Sequence, residues 1–192
     1  EQGTRMVSFY GDKGFMYKAN LSLRTALKIL KPIKQFRVFN ETSLYNGVQS
    51  IDWTDFISVH QSFLIDATVF SDLFNHSQFV ALKSKDAIVD QFKKKFNDRP
   101  NIDKDHPDLR INIHIQQDIC TVSLDTSGAS LHHRGYRTAT NIAPINEVLA
   151  AGILLLSGWH GQSNFLDPMC GSGTFLVEAA MIACNIPPNI NR

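Results

Sequence analysis

Between Asn164 and Ala179 the chain reads NFLDPMCGSGTFLVEA. An apolar pair, Phe165-Leu166, leads into a carboxylate, a turn with two glycines and an alanine-rich run. No other segment restricts the fold as tightly. It predicts a short buried strand, a turn, and a helix from Thr174 to Cys184 that Asn185 and Pro187-Pro188 stop. Gly171 and Gly173 lack a Cβ, so the backbone there can take positive φ and approach a ligand closely. The helix that follows offers unpaired N–H groups and a partly positive end. Asp167, at the carboxyl end of the strand, can accept a hydrogen bond from an ammonium or hydroxyl group, and ligands of open α/β sheets bind at that edge. Two common ligands are excluded by composition. The dinucleotide fingerprint needs a third glycine where Leu176 stands, and the phosphate loop needs a lysine that is missing nearby.

The remainder reads as alternating strands and helices. A strand over 5–10 closes at Gly11-Asp12, and a helix from about Tyr17 to Leu30 ends at Pro32. A strand over Gln35 to Asn40 precedes a short helix around Gly47-Val48. Phe63, Ile65, Ala67 and Val69 alternate with their neighbours as a strand does. Ser77 is expected to cap a helix running to Phe96, with Ile88, Phe92 and Phe96 on one face. Ile111, Ile113 and Ile115, then Cys120, Val122 and Leu124, predict a hairpin about Gln116-Gln117-Asp118. A basic stretch, LHHRGYR (131–137), reads as a linker, and Ala143-Pro144 as the start of an apolar helix through Leu156, ended by Ser157-Gly158.

The 192 residues, 43% hydrophobic and 19% charged, suit a globular protein with one large or two small cores. Three cysteines form no metal-ligand spacing or disulfide framework, which points to the cytoplasm. No apolar run is long enough to cross a bilayer. His132-His133 lacks a third ligand, so no metal is expected. Cys170 has no activating base beside it in sequence, and packing is its expected role. A start at Glu1 without methionine, and an end soon after a helix, suggest a piece of a longer protein.

The string Asp167-Pro168-Met169-Cys170-Gly171-Ser172-Gly173-Thr174 resembles the first motif of class I S-adenosylmethionine-dependent methyltransferases, in the form used by RNA guanosine N2-methyltransferases. LYNGVQSIDW, RPNIDKDHPDLRINIHI, LHHRGYR and APINEVLAAGILLLSGW are similar to the same bacterial family. The resemblance covers nearly the whole chain. It implies an α+β architecture: the remainder of an N-terminal ferredoxin-like segment (1–40), a THUMP RNA-binding domain (41–127), a linker (128–142), and the first helix-strand-helix of a Rossmann-like methyltransferase domain (143–192). It further implies S-adenosylmethionine as cofactor, held by Asp167, Pro168, Met169, Cys170, Gly171, Gly173 and Thr174, with Ala143, Pro144 and Glu147 bordering its methionine end.

The implied target is N2 of a guanosine in large-subunit ribosomal RNA, ahead of transfer RNA. No catalytic residue is expected in this chain. The Asn/Asp-Pro-Pro-aromatic motif would lie beyond Arg192, and NIPPN (185–189) reads as a helix stop, so this polypeptide alone is expected to be inactive. RNA contacts are expected from Lys83, Lys85, Arg110, Arg134 and Arg137, since a net charge of +1 leaves phosphate binding to local patches. No obligate protein partner is evident. The competing readings are a non-catalytic THUMP RNA-binding module and a nucleotide-binding enzyme such as a dehydrogenase, against which the missing third glycine speaks.

Overall fold

The computed structural model describes residues 2–3, 6–137 and 144–191. In chain order the elements are β1 (Gln2–Gly3), β2 (Met6–Val7), α1 (Lys13–Ser22), β3 (Leu30–Arg37), α2 (Glu41–Gln49), a 3-10 turn (Trp53–Asp55), β4 (Ser62–Phe70), α3 (Ser77–Phe96), β5 (Asn101–Ile102), β6 (Leu109–Gln116), β7 (Ile119–Asp125), α4 (Glu147–Leu156) and α5 (Thr174–Ala183). They form two compact units: Leu30–Gly128, and Glu1–Ile29 together with Ala129–Arg192.

The middle unit is a five-stranded sheet in the order β3-β7-β6-β4-β5. The period-2 alternation of β6 and β7 places Ile113 opposite Val122 and Ile115 opposite Cys120, all fully buried. The two strands meet in a two-residue turn, where Gln117 takes φ 54°. β4 and β6 run parallel, so the chain must cross over between them, and α3 lies within that connection. Val80, Ala87, Ile88 and Phe92 of α3, with Leu44 and Val48 of α2, join the sheet's inner residues in one core. Trp53 is sealed inside it, its indole N–H donating to the Val48 carbonyl at 2.9 Å.

Several expectations for this unit are corrected. Pro32 ends no helix: it lies within β3, an edge strand, at a register irregularity where a residue without an N–H is tolerated. α2 starts at Glu41 because Asn40 and Ser43 form a reciprocal capping box. Ser77 is the first residue of α3, not its cap; His76 holds that position without a side-chain bond. Phe96 is 53% exposed and leaves the buried face that Ile88 and Phe92 share.

In the unit built from the two ends, α1 begins at Lys13 because Asp12 accepts the Phe15 amide at 2.7 Å. It ends at Ser22, so the expected helix to Leu30 is too long and too late. α4 begins at Glu147, where Asn146 accepts the amides of Val148 and Leu149. Pro144 therefore precedes the helix, and Ala143 lies outside the described residues. Phe165-Leu166 is not a strand: nothing pairs with it among the described residues, and Leu166 is 84% exposed. A single strand has no partner to satisfy its backbone groups.

Candidate functional site

The turn after Asp167 is shaped by its backbone. Asp167 accepts the Met169 amide on its own Oδ1 at 3.1 Å, and the Gly173 N–H donates to the Cys170 carbonyl at 2.8 Å. Gly171 and Gly173 take φ of 55° and 74°, in the left-handed region, and a Cβ at either would meet nothing within 4 Å. Their glycines thus relieve conformational strain and leave open space before α5. No side chain caps α5, so its first amides remain to be satisfied from outside the helix. Pro168, Met169, Cys170 and Gly171 are exposed on this turn. Exposure of Cys170 corrects its expected packing role.

Behind the turn lies a cluster of buried polar side chains. Thr174, the first residue of α5, is 2% exposed, and its Oγ1 accepts from Arg137 Nη2 at 2.7 Å. The same nitrogen reaches the Ile145 carbonyl at 3.3 Å, while Arg137 Nη1 lies 3.3 Å from Glu147 Oε1. Glu147, at the start of α4, is 3% exposed, and its Oε2 is buried without a hydrogen-bond partner. An unpaired buried carboxylate oxygen is costly and suits a ligand that brings a donor. Pro144 is half-buried nearby in sequence.

A second buried pair follows along α5. Arg134 and Glu178 are both fully enclosed, with Nε 3.5 Å from Oε1. Arg134 donates to the Leu131 carbonyl at 2.7 Å and to Asn189 Oδ1 at 3.1 Å; Tyr136 donates to Glu178 at 3.2 Å. Arg24 reaches over to the Met181 and Ile186 carbonyls. Burial pushes the Glu178 carboxyl above its usual range, against the pull of Arg134, Tyr136 and Arg24. Burial likewise raises the Tyr136 hydroxyl, and Glu178 and Glu147 add to that.

This arrangement corrects the RNA-contact expectation for Arg134, whose guanidinium is consumed inside the unit and cannot meet a phosphate. Arg137 is also committed, with 18% of its side chain exposed. The sequence reading missed Glu178, Tyr136, Arg24 and Asn189. One signal was available: a single carboxylate in the otherwise apolar run TFLVEAAMIA (174–183) must find a buried partner.

The other expected contacts lie in the middle unit. Lys83 pairs with Glu41 at 3.3 Å and sits 5.8 Å from the Tyr45 ring centre; Lys85 pairs with Asp86 at 2.8 Å. Two positions apart on a helix, these lysines diverge and do not form one patch. Arg110 donates to the Asp105 carbonyl at 3.3 Å. Among the described residues no group of side chains could hold a metal ion, and no helix is long and apolar enough to cross a membrane. The rings of His132 and His133 lie 3.8 Å apart.

Two family models match the chain: a THUMP domain over residues 39–125, and an RMKL-like methyltransferase domain over 134–192. Solved structures are similar over nearly all of it. A protein described as a predicted N6-adenine-specific DNA methylase from Listeria monocytogenes is 32% identical, with a TM-score of 0.80 over 95% of this chain and 48% of its own. SMU.472, described as a "putative methyltransferase complexed with SAH", is 37% identical, with a TM-score of 0.79 over 95% of this chain and 48% of its own. TrmN from Thermus thermophilus, 17% identical, shares the fold, with a TM-score of 0.67 over 93% of this chain and 51% of its own. The chain spans about half the length of these solved relatives.

Proposed function

Because this chain belongs to the proteins that join a THUMP domain to an RMKL-like methyltransferase domain, we propose that its whole protein methylates RNA from S-adenosylmethionine. The intended atom is N2 of a guanosine in large-subunit ribosomal RNA. The observation that carries the cofactor reading is the pairing of an open, left-handed glycine turn with a buried carboxylate oxygen that lacks a donor. Glu147 Oε2 suits the ammonium of a methionine moiety. Asp167, Pro168, Met169, Cys170, Gly171, Gly173 and Thr174 form the backbone wall against which the cofactor lies, with Pro144 beside Glu147. The bound cofactor supplies an electrophilic methyl group on a sulfonium centre.

This chain's own part is to hold and orient. The glycines let the backbone approach, and the start of α5 offers its amides to the carboxylate end of the ligand. The THUMP domain favours RNA over DNA as substrate, although one similar protein is described as acting on DNA adenine. Within the middle unit, Lys83, Lys85 and Arg110 remain half-buried candidates for phosphate contact.

Incubating the full-length protein with methyl-labelled S-adenosylmethionine and, separately, 23S ribosomal RNA, transfer RNA and double-stranded DNA tests the reading. Label is expected in ribosomal RNA as N2-methylguanosine. Label confined to transfer RNA would move the target within the same chemistry. Label confined to DNA adenine would overturn it.

A further inference from the structure

We propose that Arg137 is a positioning residue of the cofactor site and not a contact to RNA phosphate, an inference that rests on the cofactor reading above. Its guanidinium touches the entrance of both helices that frame the site: the Ile145 carbonyl and Glu147 Oε1 at the start of α4, and Thr174 Oγ1 at the start of α5. A planar fork can hold several acceptors at once in fixed directions, which a lysine ammonium on a flexible stem does less well. By occupying Oε1, Arg137 fixes the Glu147 carboxylate and leaves Oε2, buried and unpartnered, as its only oxygen without a donor. By binding Thr174, it fixes the residue that follows Gly173 and so the direction in which the first amides of α5 point.

The geometry also explains why both arginine side chains of a basic, histidine-bearing segment are enclosed. Arg134 and Tyr136 tie the same stretch to Glu178, one turn further along α5. The segment 131–137 therefore straps α5 at two places, and Arg137 is the strap nearest the glycine turn. With four-fifths of its side chain covered and three acceptors engaged, little of the guanidinium remains for a phosphate oxygen.

The test uses the full-length protein, with SAH affinity measured by calorimetry and RNA affinity measured against salt concentration. R137Q is expected to weaken SAH binding by about 10- to 100-fold, as loss of charge-assisted hydrogen bonds does. RNA affinity and its salt slope should stay within about twofold and about 0.3 of the unaltered protein, whereas a lost phosphate contact lowers the slope by about 1. R137K should recover part of the SAH affinity. T174V, which keeps the shape and removes the acceptor, should weaken SAH binding by about fivefold. The double variant should be no weaker than R137Q, because both act through one contact.

R137Q that binds SAH normally but loses RNA affinity with a reduced salt slope would overturn the proposal, as would fully additive losses in the double variant. If R137Q does not fold, T174V still decides, since normal SAH affinity there would overturn the Arg137–Thr174 link. An unaltered protein that takes up no SAH would overturn the cofactor reading and this inference with it.

Discussion

In the unit Leu30–Gly128 the interior is mainly hydrocarbon: Phe63, Trp53, Ile111, Ile113, Phe92 and Leu44 are each at most 1% exposed and belong to one cluster, and Ser84, Ser123 and Asp125 are the polar side chains buried among the described residues there. In the unit formed by the two ends, the apolar cluster is Ala19, Ile29 and Leu131, and the buried side chains include Arg134, Glu147, Thr174, Glu178 and Asn189. The first unit draws its stability from area removed from water, which needs no particular partner. The second depends on specific pairs, each of which is stabilising only if its mate is present. It also leaves Leu149, Leu156, Leu166 and Met169 exposed. A binding scaffold tolerates the first design; a site that must hold polar atoms at set distances requires the second.

The largest effect expected on this contrast comes from Trp53→Ala. It should cost about 3–5 kcal/mol in urea unfolding of the full-length protein, followed by circular dichroism, as deletion of a buried aromatic does. A loss below about 1 kcal/mol would break the contrast from the apolar side. Next, R134M alone should cost about 3 kcal/mol because it strands Glu178 in the interior, while R134M combined with E178L should regain about half of that loss. The remainder reflects the Leu131 and Arg24 carbonyls left without their donor. If the double variant is less stable than R134M, the pair is not what orders that interior.

A smaller effect is expected at the turn itself. Gly173→Ala places an L residue at φ 74° with open space around its Cβ, so its cost should be conformational alone, about 1 kcal/mol by thermal unfolding. Its SAH affinity should fall by about tenfold or more, because the methyl group fills the space before the helix. The smallest signal is in pH. Burial raises the Glu178 carboxyl above 4.5, so the folded protein holds that proton more tightly than the unfolded chain. Unfolding free energy should therefore fall as pH rises from 4.5 towards the native value, and level off above it. E178Q should abolish that decline in a series of melting temperatures against pH; an unchanged decline would assign it to another group.

How much of this was legible in the sequence follows from distance along the chain. The hairpin of β6 and β7 could be read from Ile111 to Leu124 because a period of two and a two-residue turn are local. The glycine turn was legible for the same reason. The start of α1 was misplaced because the apolar residues Leu21, Leu23, Leu27 and Leu30 imitate a helix, whereas Asp12 fixes where the helix begins. Phe165-Leu166 has strand-like residues, but a strand is defined by a neighbour that local pattern does not contain. Arg24 meets Met181 across 157 positions, and Arg134 meets Asn189 across 55. No spacing rule joins such residues, so arginines that the structure encloses read in the sequence as surface charge.

Hydrogen exchange on the full-length protein, with and without SAH, tests most directly whether the backbone between Asp167 and the first turn of α5 forms the wall of a cofactor site. Slowed exchange of the amides from Met169 to Val177, together with those at the start of α4 around Glu147, is the expected result. Saturating SAH that protects other segments and leaves these amides exchanging at their original rates would contradict it.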